Sequence, residues 1–154
     1  MNVGLIGFGT IGSGVVKILQ ENADIIKDRL GASLKLKRIV DRDIDSKRDA
    51  TPEEDVILST DVSDIINDTE IDIVIELVGG YEPAKTFVLQ ALEKGKRVVT
   101  ANKALLAVHG DEIFNKAAET GTDIAFEASV GGGIPVIKAL KEGLAANNMQ
   151  TIDA

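Results

Sequence analysis

Three glycines near the start of the chain, Gly7, Gly9 and Gly12, constrain its fold more than any other feature. They follow a short apolar run at 3–6. They precede a stretch whose apolar residues, Ile11, Val15, Ile18 and Leu19, recur at helical spacing. Strand, glycine turn and helix, in that order, form the setting in which a G-x-G-x-x-G pattern has mechanical meaning. Gly7 permits the tight turn, Gly9 lets backbone approach a pyrophosphate, and Gly12 lets helix and strand pack closely. The free amides of the helix start then face two phosphates, and the helix dipole favours their charge.

Strand and helix signals alternate along the rest of the sequence. Residues 34–41 read as a second strand ending in Asp41, and 22–33 as the tail of the first helix plus a loop closed by Gly31. The polar stretch 43–52 reads as a mobile loop. Further strands are expected at 56–58, 71–77, 97–100, 124–127 and 149–152. Further helices are expected at 62–66, at 83–93, from Asn102 to an interruption at Gly110, at 111–120 and at 135–144. Asn102 is placed to cap its helix, and Pro135 falls in a first turn. Such alternation produces right-handed crossovers, so the expected architecture is α/β: a Rossmann-type doubly wound, mostly parallel sheet. It forms one dinucleotide-binding domain over residues 1–154. The composition agrees, because 44% hydrophobic with only 3% aromatic residues means a core of Ile, Val, Leu and Ala, suited to strands covered on both faces.

The chemistry-bearing residues fall at expected carboxyl ends of strands, where such sheets bind ligands. Asp41 comes 29 positions after Gly12, later than usual, a delay the long first helix and its loop explain. Its carboxylate would accept the adenosine ribose hydroxyls and repel a 2′-phosphate, favouring NAD; a solvated strand end is the plain alternative. Arg42 follows at once, with Lys47 and Arg48 in the next loop, so a swung side chain could still meet NADP. Gly79 and Gly80 close the 71–77 strand at the same edge and are assigned to the cofactor site. Lys103 falls in the first turn of a helix, where the dipole disfavours a cation. An anionic or carbonyl-bearing ligand would account for it, and an exposed helix lysine is the alternative. His109, the only histidine, precedes Gly110 and reads as closing a helix on its last carbonyls. Glu127 stands near Gly131, Gly132 and Gly133. A carboxylate beside bare carbonyls suits a hard cation, and a glycine loop capping the final helix fits equally.

Several functions are disfavoured. With 17 basic and 25 acidic residues the net charge is −8, which repels a phosphate backbone and argues against nucleic acid. Cysteine is absent, which removes disulfides, thiolate zinc sites and a cysteine nucleophile. No apolar stretch approaches the roughly 20 residues of a membrane span, and the first residues run into a strand with no basic leader. A soluble, cytoplasmic protein is expected.

Four segments together resemble the amino-terminal part of the homoserine dehydrogenases: Gly4-Leu5-Ile6-Gly7-Phe8-Gly9-Thr10-Ile11-Gly12, Glu76-Leu77-Val78-Gly79-Gly80, Val98-Val99-Thr100-Ala101-Asn102-Lys103-Ala104-Leu105, and Glu127-Ala128-Ser129-Val130-Gly131-Gly132-Gly133-Ile134-Pro135. The resemblance covers essentially the whole chain. It implies reversible reduction of aspartate 4-semialdehyde to homoserine with NADH or NADPH, on the route to threonine, methionine and isoleucine. It implies that Phe8, Thr10 and Ile11 join the glycines at the cofactor. Thr100 and Lys103 line its nicotinamide side, with Lys103 also near the reacting carbonyl. It further implies a structural sodium ion at Glu127 and the main-chain oxygens of Val130, Gly132 and Ile134. Members of the family continue into a second domain holding the dimer interface, most of the homoserine site and an acid–base Asp/Lys pair. The expectation is therefore a cofactor-binding domain with little turnover of its own. A non-catalytic dinucleotide sensor is the rival reading, and it gives no reason for the Thr100–Lys103 segment.

Overall fold

The structure, a computed structural model, describes residues 1–146 and Thr151. Among these, six strands pair in parallel: β1 (Asn2–Ile6), β2 (Lys35–Val40), β3 (Ile57–Ser59), β4 (Ile73–Glu76), β5 (Arg97–Thr100) and β6 (Ile124–Ala125). Their order, β3-β2-β1-β4-β5-β6, runs one way from β1 through β3 and then returns past β1 to β4. That reversal opens a crevice outside the carboxyl ends of β1 and β4, where doubly wound sheets take dinucleotides. The helices are α1 (Thr10–Glu21), α2 (Ala23–Leu30), α3 (Ser63–Ile66), α4 (Ala84–Glu93), α5 (Lys103–Thr120) and α6 (Val136–Lys138).

Alternation along the strands supplies two cores. Val3, Leu5 and Ile39 pack with Val16 of α1 and with Phe8. Ile6, Val40, Val74 and Val98 pack with Ile65 of α3, Val88 and Leu92 of α4, and Leu105 and Ile113 of α5. Each fully buried aliphatic side chain contributes roughly 1.5–3 kcal/mol of transfer free energy, so the sheet is held from both faces rather than by its ladders alone.

Several boundaries differ from the sequence reading. Residues 22–33 hold a separate helix, α2, closed by Gly31 at φ +70°; it buries none of its residues and was hidden by its polarity. Gly110 does not interrupt a helix: α5 runs unbroken through it, and the glycine is buried with the Phe114 ring against it. His109 consequently lies in mid-helix, 3.9 Å from Glu112 and edge-on to Tyr81, and closes no helix end. The 124–127 strand shortens to β6, and residues Glu127–Ser129 form a 3₁₀ turn. The 135–144 helix is α6 followed by a wider turn at Ala139–Gly143. The expected 149–152 strand falls outside the described residues, apart from Thr151. No described helix is long and apolar enough to cross a membrane.

Behind the opposite edge of the sheet, Asp68 gathers a set of cations. Its carboxylate accepts from Lys37 Nζ at 2.8 Å and sits 3.5 Å from Arg38, while the buried Lys96 ammonium donates to the carbonyls of Asp68 and Ile71. The Lys37 hydrogen bond holds the Asp68 carboxyl below its ordinary range. A lowered folded value means stability that is full above the unfolded pKa of 3.8 and is lost as pH falls through the folded one. Asp68→Asn is therefore expected to cost about 2 kcal/mol at neutral pH and to lose that deficit on acidification. Thermal melts of both proteins from pH 7 to pH 2 check it; parallel curves would refute it.

Candidate functional site

The three glycines of the loop have three different reasons to be glycine. Gly7 sits at φ +102°, and a Cβ there would lie 2.7 Å from the Leu77 carbonyl carbon. A Cβ on Gly12 would overlap the carbonyl oxygen of Gly7, so only glycine lets α1 approach β1 this closely. Gly9 is unlike both: its backbone is extended at φ −76°, and a Cβ there would meet nothing within 4 Å. Neither conformation nor packing within the chain asks for glycine at position 9. The space in front of it is open.

That space is polarised. Gly9 precedes α1 without a side-chain cap, and the first backbone bond of the helix runs from Ser13 to the Gly9 carbonyl. The amides of Thr10, Ile11 and Gly12 therefore have no acceptor among the described residues and face the crevice with the positive end of the helix. Thr10 and Ile11 are exposed at this edge, Ile11 at 61%. Phe8 behaves differently, because its ring is buried in the core beside Val16 and Ile39 and anchors the loop from below.

A cavity of about 350 Å³ opens from the loop, lined by Gly7, Gly9, Asp41, Arg42, Gly79 and Glu82 among others. Arg42 is exposed along this wall. Asp41 Oδ2 accepts from the Phe8 amide at 2.6 Å and Oδ1 from the Asp43 amide at 2.9 Å. The strand-end carboxylate thus ties the glycine loop to β2. Gly79 and Gly80, both left-handed at φ +73° and +72°, turn the chain away from β4 on the far side.

The carboxyl ends of β4 and β5 rest on a buried network that the sequence reading missed. Glu76 is fully buried at the end of β4, where its carboxylate accepts from Thr100 Oγ1 at 2.7 Å and from the Val78 amide at 2.8 Å. Thr100 Oγ1 in turn accepts from the Asn102 amide at 3.0 Å. Asn102 caps α5 as expected, accepting from the Leu105 amide, and its Nδ2 donates to the Gly80 carbonyl at 2.7 Å. Ser129 Oγ donates to the Thr100 carbonyl at 2.9 Å. Thr100 is itself fully buried, so it acts as a strut between β4 and α5 and not as an exposed wall. Lys103, the first residue of α5, stands exposed on this frame and forms no ion pair among the described residues. The signal for Glu76 was present in the sequence as the one carboxylate within the otherwise apolar run 73–77.

Glu127 spends both carboxylate oxygens on the start of α6, accepting from the amides of Ile137 and Lys138 at 2.8 and 2.9 Å. The Ile134 carbonyl accepts from the Val136 amide. The carbonyls of Val130 and Gly132 take no hydrogen bond among the described residues. The loop thus offers a cation two open main-chain oxygens. Each Glu127 oxygen accepts one of these amides and keeps further lone-pair capacity.

A family model described as the NAD-binding domain of homoserine dehydrogenase matches residues 7–127. The chain belongs to that family. Homoserine dehydrogenase of Bacillus subtilis is 45% identical over 150 residues, which are 97% of this chain and 34% of that protein. The Pseudomonas aeruginosa enzyme is 50% identical over 151 residues, with the same two coverages. A crystal structure of homoserine dehydrogenase from Thiobacillus denitrificans superposes with a TM-score of 0.86 at 45% identity, covering 96% of this chain and 34% of that one. An archaeal homoserine dehydrogenase solved in complex with NADPH superposes with a TM-score of 0.73 at 26% identity, covering 90% of this chain and 47% of that one. The chain spans about a third of the length of the curated homoserine dehydrogenases it matches. The family match begins at Gly7 and ends at Glu127, so it contains the glycine loop, Glu76, Thr100, Asn102 and Lys103.

Proposed function

We propose that this chain is the dinucleotide-binding part of a homoserine dehydrogenase, an enzyme that interconverts homoserine and aspartate 4-semialdehyde with NAD(H) or NADP(H). The observation that carries the reading is Gly9, a glycine with no reason inside its own chain, opening onto unpaired amides of Thr10, Ile11 and Gly12. Those amides fit a pyrophosphate. Asp41 and Arg42 border the adenosine ribose, and Gly79 and Gly80 the opposite wall. The nicotinamide ring, when bound, supplies hydride exchange. On this chain the Glu76–Thr100–Asn102 frame fixes the start of α5, so that the Lys103 ammonium is held toward the nicotinamide half and a substrate carbonyl oxygen. A sodium ion, in this reading, rests on the main-chain oxygens of Val130 and Gly132, with Glu127 kept on the helix. The homodimer of the whole enzyme would form through residues beyond this domain.

The test is calorimetric titration of the chain with NADH and with NADPH. Saturable one-to-one binding of at least one of them is expected. Binding of neither by a folded protein would refute the reading.

A further inference from the structure

Arg48 comes from the irregular segment between β2 and β3 and reaches back to Asp41, which lines the crevice. Its side chain is 19% exposed and lies over the Phe8 ring, 5.9 Å from the centroid. Nη2 is 3.5 Å from Asp41 Oδ1 and 3.9 Å from the Asp43 carboxylate, and it also donates to the Asp43 carbonyl. Both carboxylate contacts lie at or beyond the limit of a good hydrogen bond. Nε is buried and finds no acceptor among the described residues. An unmet buried donor is costly, and this guanidinium fork is only partly satisfied by its own chain.

Asp41 is in the opposite condition. One oxygen holds the Phe8 amide, the other the Asp43 amide, and a guanidinium faces the pair. A carboxylate that excludes a 2′-phosphate needs uncompensated charge at the ribose, and here that charge is met by two amides and Arg48, with Arg42 exposed on the same wall.

We propose that Arg48 sets coenzyme choice at this site by taking the 2′-phosphate of NADP(H), while Asp41 is a positioning residue for the glycine loop. The proposal rests on the dinucleotide reading above. A guanidinium matches phosphate in two-pronged geometry, and turning from two long carboxylate contacts to a doubly charged phosphate exchanges weak bonds for strong ones. NADH presents only hydroxyls there and leaves Arg48 on Asp41.

The experiment titrates wild type, Arg48→Ala and Arg48→Lys with NADH and NADPH at one fixed ionic strength, each protein first checked for folding by thermal melt. Wild type is expected to bind NADPH more tightly than NADH. Arg48→Ala should weaken NADPH by about tenfold or more and NADH by less than about twofold, the scale of losing one charge-assisted fork. Arg48→Lys keeps the charge and loses the fork, so its NADPH loss should be intermediate; it also carries the test if the alanine variant does not fold. Equal losses for both coenzymes would make Arg48 a loop strut and overturn the proposal, as would unchanged NADPH affinity. A wild type that binds neither coenzyme is a different result, which overturns the dinucleotide reading and this proposal with it.

Discussion

Gly12→Ala is expected to destabilise the fold by about 3 kcal/mol, because a methyl group there must displace backbone and not a flexible side chain. The added Cβ overlaps the Gly7 carbonyl oxygen, a backbone atom that cannot swing aside as a side chain would, in a loop so close to β4 that a Cβ on Gly7 would itself lie 2.7 Å from the Leu77 carbonyl carbon. At about 2–4 °C per kcal/mol for a domain of this size, the melting point should fall by roughly 6–12 °C. Gly9→Ala makes the complementary test. Its added methyl meets no protein atom, so the melt should stay within about 1 °C of wild type, while it projects into the space assigned to the pyrophosphate and should weaken dinucleotide binding about tenfold or more. Melting curves and calorimetry on the two variants separate the cases. If Gly9→Ala melts early, or binds as wild type does, the glycine loop is a turn and not a cradle.

The contrast between these glycines shows how far the sequence could be read. The motif named all three, and its mechanics assigned Gly7 to the turn and Gly12 to close packing, in agreement with the contacts those two positions meet, while Gly9, assigned to the ligand, meets only open space. The alternation of strands and helices led to the right sheet because burial on both faces writes itself into runs such as Val98 and Val99. Local rules failed where a distant neighbour decided the outcome. Gly110 reads as a breaker by propensity, yet α5 continues because the residue is buried under Phe114 in a helix packed along α4. The resemblance to the homoserine dehydrogenases puts Thr100 beside the nicotinamide, and nothing local tells that its hydroxyl bonds Glu76, a partner 24 residues away. Asp41 lines the crevice, and what spacing could not reveal is that its oxygens accept the amides of Phe8 and Asp43. In each case the position of the residue was legible and the direction of its bonds was not.

Lys103 is where position and chemistry can be separated most sharply. It is exposed and unpaired among the described residues, so its removal should leave stability within about 0.5 kcal/mol of wild type, as for surface substitutions generally. A bound anion or carbonyl, as proposed, would offset its place at the dipole-disfavoured start of α5, and the frame beneath it, from Glu76 through Thr100 and Asn102 to Gly80, ties that start to β4. Hydride exchange with a semialdehyde also requires a second wall to seat the carbonyl and a group to manage the proton on its oxygen. These 154 residues span a third of the relatives' length, and the relevant comparison is with a protein extended to that full length. The short chain is expected to oxidise homoserine at no more than about a hundredth of the extended protein's rate, the low end of what general acid–base groups contribute. In the extended protein, Lys103→Ala should lower kcat by about 10²–10⁴ with an unchanged melting point. The assay is NADH or NADPH production from homoserine at alkaline pH, run on both lengths and on the variant. Full turnover by the short chain would mean that seat and proton carrier both lie within it. An active Lys103→Ala enzyme would reduce the lysine to an ordinary exposed residue, leaving its unfavourable position at the helix start without a compensating ligand.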